Sequence, residues 1–413
     1  MKSSQLLIIG YVWPEPQSSA AGTRMMELIK LFQDNEWQVT FASPAQRSEH
    51  MADLVALGVD MVDIELNSNS FDEYIIQLNP TAVMFDRFMM EEQFGWRVEQ
   101  HCPSALRILD TEDLHSLRDA RHKAYKAQRQ VTLSDYSSDI ALREIASILR
   151  CDLSLIISEF EMSLLQSQYK VDPNLLHHLP FMLDPQDLQK PRLSFEQRNH
   201  FVSIGNFRHA PNWDAVLYLK ETIWPLIRKQ LPQAQLHLYG AYPPPKATAL
   251  NNPKQGFVVK GWCEDAHQVI GQAKVCLAPL RFGAGIKGKL ADSMLNGTPS
   301  VTTSIGSESM HGELPWSGAI SDDPNTFSYM ATHLYTQQEA WQEAVNHGNA
   351  IIYQRYNKTL LGNKLMSVIE HTLATLDTHR LTNFSGAMLR HHHHKSTKYM
   401  SQWIEAKNKN EKS

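Results

Sequence analysis

The sequence lacks the features that mark several classes of protein. Its four cysteines lie far apart in 413 residues and form no C-x-x-C pair, which argues against a disulfide framework and favours free thiols in a reducing cytoplasm. No apolar run approaches the roughly 18 residues of a membrane span. The first run, at 6–10, is also too short for the core of a signal peptide. We therefore expect a cytoplasmic protein that is soluble or peripheral at the inner face of the membrane.

The chain also lacks an excess of positive charge. Lys and Arg number 39 against 44 Asp and Glu, giving a net charge of −5, which argues against nucleic acid as a partner. Hydrophobic residues make up 42% of the chain, so a disordered or collagen-like protein is excluded. The C-terminal segment 390–413 differs, since its six basic and two acidic residues give +4 and leave −9 on the rest. It includes a run of histidines, His391 to His394, which we interpret as native.

What the sequence does contain is a repeated alternation of short apolar runs with helical stretches. Such alternation predicts βαβ units with parallel sheets, and hence an α/β fold. The predicted strands are 6–10, 38–42, 82–85, 106–109, 153–158, 201–205, 235–239, 256–259, 275–278 and 300–302.

The composition changes at 186–199, which is rich in charge and proline and reads as a linker. It separates a first α/β domain, 1–185, from a second, 200–335. A helical pattern follows at 336–375, and the basic tail occupies 376–413. Apolar residues around Trp403 lie among lysines in this tail. They would either dock on a membrane or protein partner or pack on the protein's own first domain.

A glycine-rich loop follows the predicted strand 275–278 and opens a helix near Lys287. Gly283 and Gly285 let the backbone approach a ligand closely, and the free N–H groups of a helix N-terminus favour an anion. Lys287 adds positive charge. The pattern indicates a phosphate site, although a tight turn with exposed lysines is the alternative.

A second small-residue loop follows the first strand and includes Gly22 and Arg24. In open α/β sheets, ligands bind where the carboxyl ends of strands meet such loops. Arg24 would then contact a phosphate, and a plain connection is the alternative.

The sequence motifs of the second predicted domain resemble, in their order, those of the retaining glycosyltransferases of family 4. The landmarks span most of 201–310 and read VSIGNFRHAPNW, HLYG, VVKGW and PLRFGAGIKGKLADSMLNGTPSVTT. The resemblance implies a GT-B fold, in which two Rossmann-like, doubly wound domains face a cleft and a C-terminal helix crosses back to the first domain. It implies a nucleotide-diphosphate sugar as donor substrate, held mainly by the second domain. It also implies retention at the anomeric carbon, with no obligatory metal and no further cofactor.

The resemblance also implies which residues bind the donor. Asp292 stands where the family has the second Glu of its E-x7-E pair and would accept hydrogen bonds from ribose hydroxyls. The first Glu is replaced by Ala284, which leaves the sugar-contacting acid absent and the donor sugar undefined. The full set of expected donor-binding residues is Gly22, Arg24, Arg208, Trp262, Gly283, Ala284, Gly285, Ile286, Lys287 and Asp292.

A polar cluster follows predicted strand 106–109 and contains Asp110, Asp113 and His115. Together these residues would orient or deprotonate an acceptor hydroxyl, with His115 the first candidate. The alternative is a helix start capped by Asp110 or Thr111. No ligand spacing of a metal site appears.

The leading hypothesis is transfer of a sugar to a glycan, lipid-linked or protein acceptor. Two alternatives stay open, which are a non-catalytic GT-B scaffold and a GT-B epimerase, since both would use the same nucleotide site.

Overall fold

A computed structural model describes residues 4–391 and 395–412 of the chain. Three of the four residues of the predicted native histidine run, His392 to His394, lie outside the described residues. The described residues form two parallel sheets, each flanked by helices. The predicted α/β class is therefore confirmed.

The first sheet has the strand order β3-β2-β1-β4-β5-β6-β7, with every pair parallel. Its strands are β1 (Gln5–Ile9), β2 (Gln38–Ser43), β3 (Asp60–Asp63), β4 (Ala82–Asp86), β5 (Leu106–Asp110), β6 (Leu153–Ile156) and β7 (Leu176–His178). Its helices are α1 (Ala20–Asp34), α2 (Ser70–Leu78), α3 (Phe88–His101), α4 (His115–Lys126), α5 (Asp139–Arg150) and α6 (Glu159–Ser167).

Burial of both faces explains why the central strands read as continuous apolar runs. In β1, Leu7 and Ile9 face one hydrophobic core and Leu6 and Ile8 face the other, as the two-residue period of a strand requires. The first core includes residues of α3, α4 and α5, and the second includes residues of α1.

The second sheet has the strand order β10-β9-β8-β11-β12-β13 and is also parallel. Its strands are β8 (Asn199–Ile204), β9 (Leu236–Tyr239), β10 (Phe257–Gly261), β11 (Ala273–Ala278), β12 (Ser300–Thr302) and β13 (Gly318–Ile320). Its helices are α7 (Ala210–Tyr218), α8 (Trp224–Gln230), α9 (Pro245–Thr248), α10 (Ala266–Gln272), α11 (Gly288–Leu295), α12 (Ser304–Ser307) and α13 (Pro324–Thr336). A π-helical segment, Leu219–Ile223, joins α7 to α8.

Among the described residues, five further α-helices follow: α14 (Gln338–Arg355), α15 (Lys358–Ala374), α16 (Leu376–Thr382), α17 (Phe384–Leu389) and α18 (Lys395–Lys412). Helix α14 packs on the second domain through α11 and α13. Helix α15 belongs to the first domain, because its Leu365, Met366 and Ile369 lie in the same core as Leu6 and Leu28. The crossing predicted for the GT-B fold thus takes place between α14 and α15.

The two connections between the domains run side by side. The N–H of Leu183 donates to the carbonyl of Tyr356 at 2.8 Å, and the N–H of Lys358 donates to the carbonyl of Leu183 at 2.9 Å. These bonds form a parallel bridge between Leu183 and Asn357. The domains therefore share a paired hinge.

The C-terminal tail packs on the first domain, which was one of the two expectations for it. Arg380 binds Asp152 at 2.7 Å, and α18 lies against α3. Within the described residues, none of the helices has the length and apolar character needed to cross a membrane.

Candidate active site

A cleft of about 680 Å³ lies between the two domains. Its walls are the loops that follow β1, β5, β8 and β11, so it sits at the carboxyl ends of strands from both sheets, where ligands of open α/β sheets bind. The loop 283–288, Lys289 and Asp292 form one wall, and the segment 112–118 forms part of the opposite wall.

The glycine loop has a backbone that its glycines make possible. Gly283 and Gly285 have φ of 151° and 61°, a region that side chains with a Cβ avoid. A Cβ on Gly285 would also lie 2.9 Å from the Cβ of Asp113 in the first domain. The loop leads into α11, whose N-cap residue Lys287 makes no side-chain cap, as expected for a helix start left open to a ligand. Ala284 and Ile286 line the cleft with the loop but are largely buried.

Two lysines place cationic groups on this wall. Lys287 Nζ donates to the carbonyl of Ala284 at 3.1 Å, and Lys289 Nζ donates to Asn212 Oδ1 at 2.7 Å. Burial lowers the pKa of each lysine to about 8. A bound phosphate would offset this cost, because an opposite charge stabilises the protonated amine.

Asp292 lies on α11 and lines the cleft, so the position predicted for the ribose-binding carboxylate does face the cavity. Burial raises its pKa to about 6. The carboxylate is therefore ionised, and able to accept two hydrogen bonds, mainly above that pH.

Arg208 and Trp262 also line the cleft, each beside an aromatic ring. The Arg208 guanidinium lies 3.9 Å from the centroid of Tyr242. Trp262 stacks on His50 of the first domain, with ring centroids 4.7 Å apart, and remains 40% exposed. One face of Trp262 is thus covered by protein, and its expected part in donor binding stays a prediction.

Asp113 and His115 lie together on the first-domain wall of the cleft, but Asp113 forms its ion pair with Arg118. Burial raises the pKa of Asp113, yet Arg118, 2.6 Å away, and His115 outweigh it and lower the pKa to about 2. His115 Nε2 is 3.8 Å from Asp113 Oδ1. Burial lowers the pKa of His115 to about 4, so the imidazole is neutral near pH 7 and can accept a proton.

Arg24 and Asp110 lie beneath the cleft and do not line it, which corrects both predictions. Their side chains are 1% and 0% exposed and pair at 2.9 Å, while Arg24 Nη1 donates to the carbonyl of Leu179 at 2.7 Å. Because each charge already has a buried partner, neither residue is available to a phosphate or an acceptor.

Gly22 has a structural role instead of the expected donor contact. It lies in the first turn of α1, and a Cβ there would come within 2.4 Å of the Glu15 backbone. It borders a smaller cavity beside the cleft and not the cleft itself. Gly22 therefore allows the loop after β1 to fold against α1.

The alternative prediction for the polar cluster, a helix start capped by Asp110 or Thr111, names the wrong capping residues. Helix α4 begins at His115, and the carboxylate of Glu144 accepts from the N–H groups of His115 at 2.9 Å and Ser116 at 3.0 Å. Neither Asp110 nor Thr111 caps the helix. A distant glutamate supplies this cap, and the local sequence carries no signal for it.

Glu112 and Glu161 are two acids of this site that were not among the predicted site residues. Glu112 lines the cleft beside His115, has a φ of 63°, and its buried Oε1 has no hydrogen-bond partner among the described residues. Burial, with the neighbouring charge of Asp110, raises its pKa well above the usual value. Glu161 Oε1 accepts from the N–H of Gly285 at 3.0 Å and from the N–H of Leu114 at 2.9 Å. Glu161 thus joins the glycine loop to the first domain.

Comparison with known proteins agrees with this geometry. Residues 198–337, about a third of the chain, match the sequence model of the family described as "Glycosyl transferases group 1". This region holds the glycine loop, both lysines and Asp292. No curated protein sequence matches the chain.

Solved structures match over nearly the whole chain at low sequence identity. Sucrose-phosphate synthase from Thermosynechococcus elongatus has a TM-score of 0.64 and 14% identity, covering 90% of this chain and 100% of its own. TarM from S. aureus, solved with UDP, fondaparinux and α-GlcNAc-glycerol, has a TM-score of 0.68 and 10% identity. The match covers 88% of this chain and 99% of TarM. HepE from Anabaena, solved with UDP-glucose, has a TM-score of 0.63 and 10% identity. The match covers 89% of this chain and 99% of HepE.

These likenesses establish the fold, with two Rossmann-like domains around a cleft. By its fold and by the match of its second domain, the chain is similar to the group 1 glycosyltransferases of the GT-B type.

Proposed function

We propose that the protein transfers a sugar from a nucleotide-diphosphate sugar to a hydroxyl group of a glycan, lipid-linked or protein acceptor, with retention at the anomeric carbon. The observation that carries the proposal is the cleft wall of glycine loop, Lys287, Lys289 and Asp292, which lies within the region matching group 1 glycosyltransferases. Relatives in fold were solved with UDP or UDP-glucose, which supports a donor of this class. Free thiols at Cys102, Cys151, Cys263 and Cys276 support a cytoplasmic location.

On the donor side, the reaction needs positively charged groups beside the diphosphate leaving group. When the bond from the anomeric carbon to the phosphate oxygen breaks, negative charge develops on the diphosphate. Lys287, Lys289, Arg208 and the N–H groups at the start of α11 would stabilise that charge. Because these groups are fixed cations and dipoles, no metal ion is required in the proposed mechanism.

The acceptor side needs a group that orients the attacking hydroxyl and receives its proton. Neutral His115 can accept a hydrogen bond from that hydroxyl, although its lowered pKa makes it a weak base, and Glu112 lies next to it on the same wall. Asp113 lies 3.8 Å from His115, while its own charge is neutralised by Arg118. We propose that His115 and Glu112 face the acceptor hydroxyl across the glycine loop.

One observation favours a second candidate function. Ala284 stands where related enzymes carry an acid that contacts the donor sugar, as noted from the sequence. A non-catalytic nucleotide-sugar-binding protein would need the same cleft without that acid. Transfer or hydrolysis of a donor by the purified protein would rule this candidate out, and recovery of an epimerised free sugar would identify an epimerase instead.

Titration calorimetry with UDP-, GDP- and ADP-sugars tests the proposal. We expect one class of donor to bind, and Lys287→Ala and Lys289→Ala each to weaken it by about ten- to a hundredfold, since a charged hydrogen bond contributes about 1.5–3 kcal/mol.

Lys229→Ala is the matched control, because Lys229 is an exposed lysine of the same domain on α8 and should leave affinity unchanged. The proposal fails if no donor binds, or if both cleft variants bind as tightly as the wild type.

A further inference from the structure

Helix α18 presents an apolar surface to solvent. Tyr399, Met400 and Trp403 are 64%, 58% and 63% exposed, although large apolar side chains usually pack inside a protein. Buried Ser401 faces the opposite way, toward the first domain. The helix therefore turns its polar side inward and its aromatic side outward, the reverse of an ordinary surface helix.

The orientation of α18 is fixed by a contact with a buried arginine. Arg97 on α3 is 2% exposed and donates to Ser401 Oγ at 3.1 Å. The same guanidinium pairs with Asp72 of α2. A rotation of α18 that buried its aromatic side would break this contact and leave the arginine with one fewer partner.

Helix α17 also presents apolar side chains to solvent. Helix α17 packs on α5, α18 packs on α3, and α3 packs on α5. Both tail helices thus cover one helix layer of the first domain, and their exposed side chains point away from the sheet beneath. On α17 these include Phe384 and Met388, 76% and 50% exposed. We call Phe384, Met388, Tyr399, Met400 and Trp403 the tail surface.

The positive charge of the C-terminal segment favours an anionic partner for the tail surface. The segment 390–413 carries +4 on a chain whose other residues carry −9, and apart from Arg390, which is buried beside Glu99, its basic residues are lysines. Lys407 lies beside Trp403, with its Nζ 5.9 Å from the ring centroid. A symmetric pairing of two copies would place two such segments against each other, and their like charges would repel. An anionic surface attracts the tail while repelling the acidic remainder of the molecule.

We propose that the tail surface docks on a bilayer that contains anionic lipids. Trp and Tyr prefer the boundary between lipid headgroups and acyl chains, where an apolar ring and a polar tip are both accommodated. Met and Phe add apolar contact, and the lysines meet lipid phosphates. Docking would hold the protein on the membrane by the first domain and would serve an acceptor presented at that surface. The proposal concerns adsorption alone and stands whether or not the protein transfers a sugar.

Co-sedimentation of the full chain with vesicles tests the proposal. We expect the protein to sediment with phosphatidylglycerol-containing vesicles and not with vesicles of phosphatidylcholine alone. The triple variant Tyr399→Ser, Met400→Ser, Trp403→Ser should bind at least about tenfold more weakly, because it removes the apolar contact. The charge variant Lys407→Glu should bind at least about fivefold more weakly, since a lysine near an anionic surface contributes about 1 kcal/mol, or about fivefold.

The matched control replaces exposed apolar residues elsewhere. Tyr329 and Tyr353 are 58% and 62% exposed on the second domain, so Tyr329→Ser, Tyr353→Ser should sediment like the wild type. Melting temperatures of all variants check that each is folded.

The proposal is overturned if the wild type ignores anionic vesicles, or if the triple variant binds them unchanged. It is also overturned if light scattering shows a dimer that the triple variant abolishes, because the tail surface would then be a contact between copies.

Discussion

Three ionisable side chains on the glycine-loop wall of the cleft have pKa values shifted toward neutrality, and burial is the main cause of each shift. Burial raises the pKa of Asp292 to about 6 and lowers those of Lys287 and Lys289 to about 8. At a pH between about 6 and about 8, the wall therefore carries both the ionised carboxylate expected to bind ribose and the protonated lysines expected to bind diphosphate. Shifted groups of this kind are concentrated at functional sites.

Donor affinity should therefore depend on pH in a bell-shaped way. It should rise as pH passes about 6, because Asp292 loses its proton, and fall above about 8, because the lysines lose theirs. Calorimetry at constant ionic strength between about pH 5 and about pH 9 measures this dependence.

Lys289→Arg is the informative variant, since arginine keeps its charge throughout this range and should flatten part of the alkaline fall. An affinity that stays constant over the whole range would contradict the assignment of these groups to the donor.

At the scale of elements, the pair Arg24–Asp110 joins α1 to the end of β5. Arg24 also donates to the carbonyl of Leu179, just after β7, so three separate parts of the first domain meet at one guanidinium. Buried charges cost free energy unless they are paired and hydrogen-bonded, and here both conditions are met. The pair fixes the elements that carry the cleft loops.

Arg24→Met should lower the stability of the protein by about 3–5 kcal/mol, because it leaves Asp110 buried without its partner. The expected readout is a large fall in melting temperature. Arg47→Met, which breaks the exposed pair Arg47–Asp63, should change stability by about 0–1 kcal/mol. Equal effects of the two variants would contradict a supporting role for the buried pair.

The sequence predicted the central strands well and the edge strands poorly. Buried strands such as β1 and β4 stand out as apolar runs, and all ten predicted strands are present in the structure. Three further strands, β3, β7 and β13, were missed. They have only three or four residues and lie at or near the sheet edges, and the exposure of β3 and β13 removes the apolar signal.

The candidate site was predictable where its residues are consecutive and not where they meet through folding. The glycine loop and Lys287 lie in one segment, so their spacing indicated a shared site. Arg24 and Asp110 were misassigned because their pairing joins positions 86 residues apart. The contact of Glu161 with the glycine loop was not predicted for the same reason, since its partner Gly285 is 124 residues away and in the other domain.

At the scale of the whole molecule, contacts across the cleft hold the two domains together. Arg121 on α4 binds Glu308 at 2.8 Å through both guanidinium ends and donates to the carbonyl of Gly283 at 2.9 Å. On the other side of the cleft, Tyr242 donates to Glu15 at 3.0 Å. These contacts bring the glycine loop against the wall that carries His115.

Arg121→Ala should shift the molecule toward a more open arrangement and weaken donor binding. Loss of about 1–2 kcal/mol from the closed state corresponds to about a 5- to 30-fold loss of affinity. Small-angle scattering should show a larger radius of gyration, and calorimetry should show the weaker binding.

Arg129→Ala is the control, because the hydrogen bonds that Arg129 makes in the described part of the chain go to Gln130 and Asp135, both in the first domain. Unchanged scattering and affinity in Arg121→Ala would show that the other contacts alone keep the domains closed.

The paired hinge at Leu183 and Asn357 has a consequence for synthesis of the chain. Because α15 supplies Leu365, Met366 and Ile369 to the core of the first domain, that domain is discontinuous in sequence. The second domain is contiguous and leaves the ribosome complete. Part of the core of the first domain therefore stays open until α15 is translated, which happens only after the whole second domain.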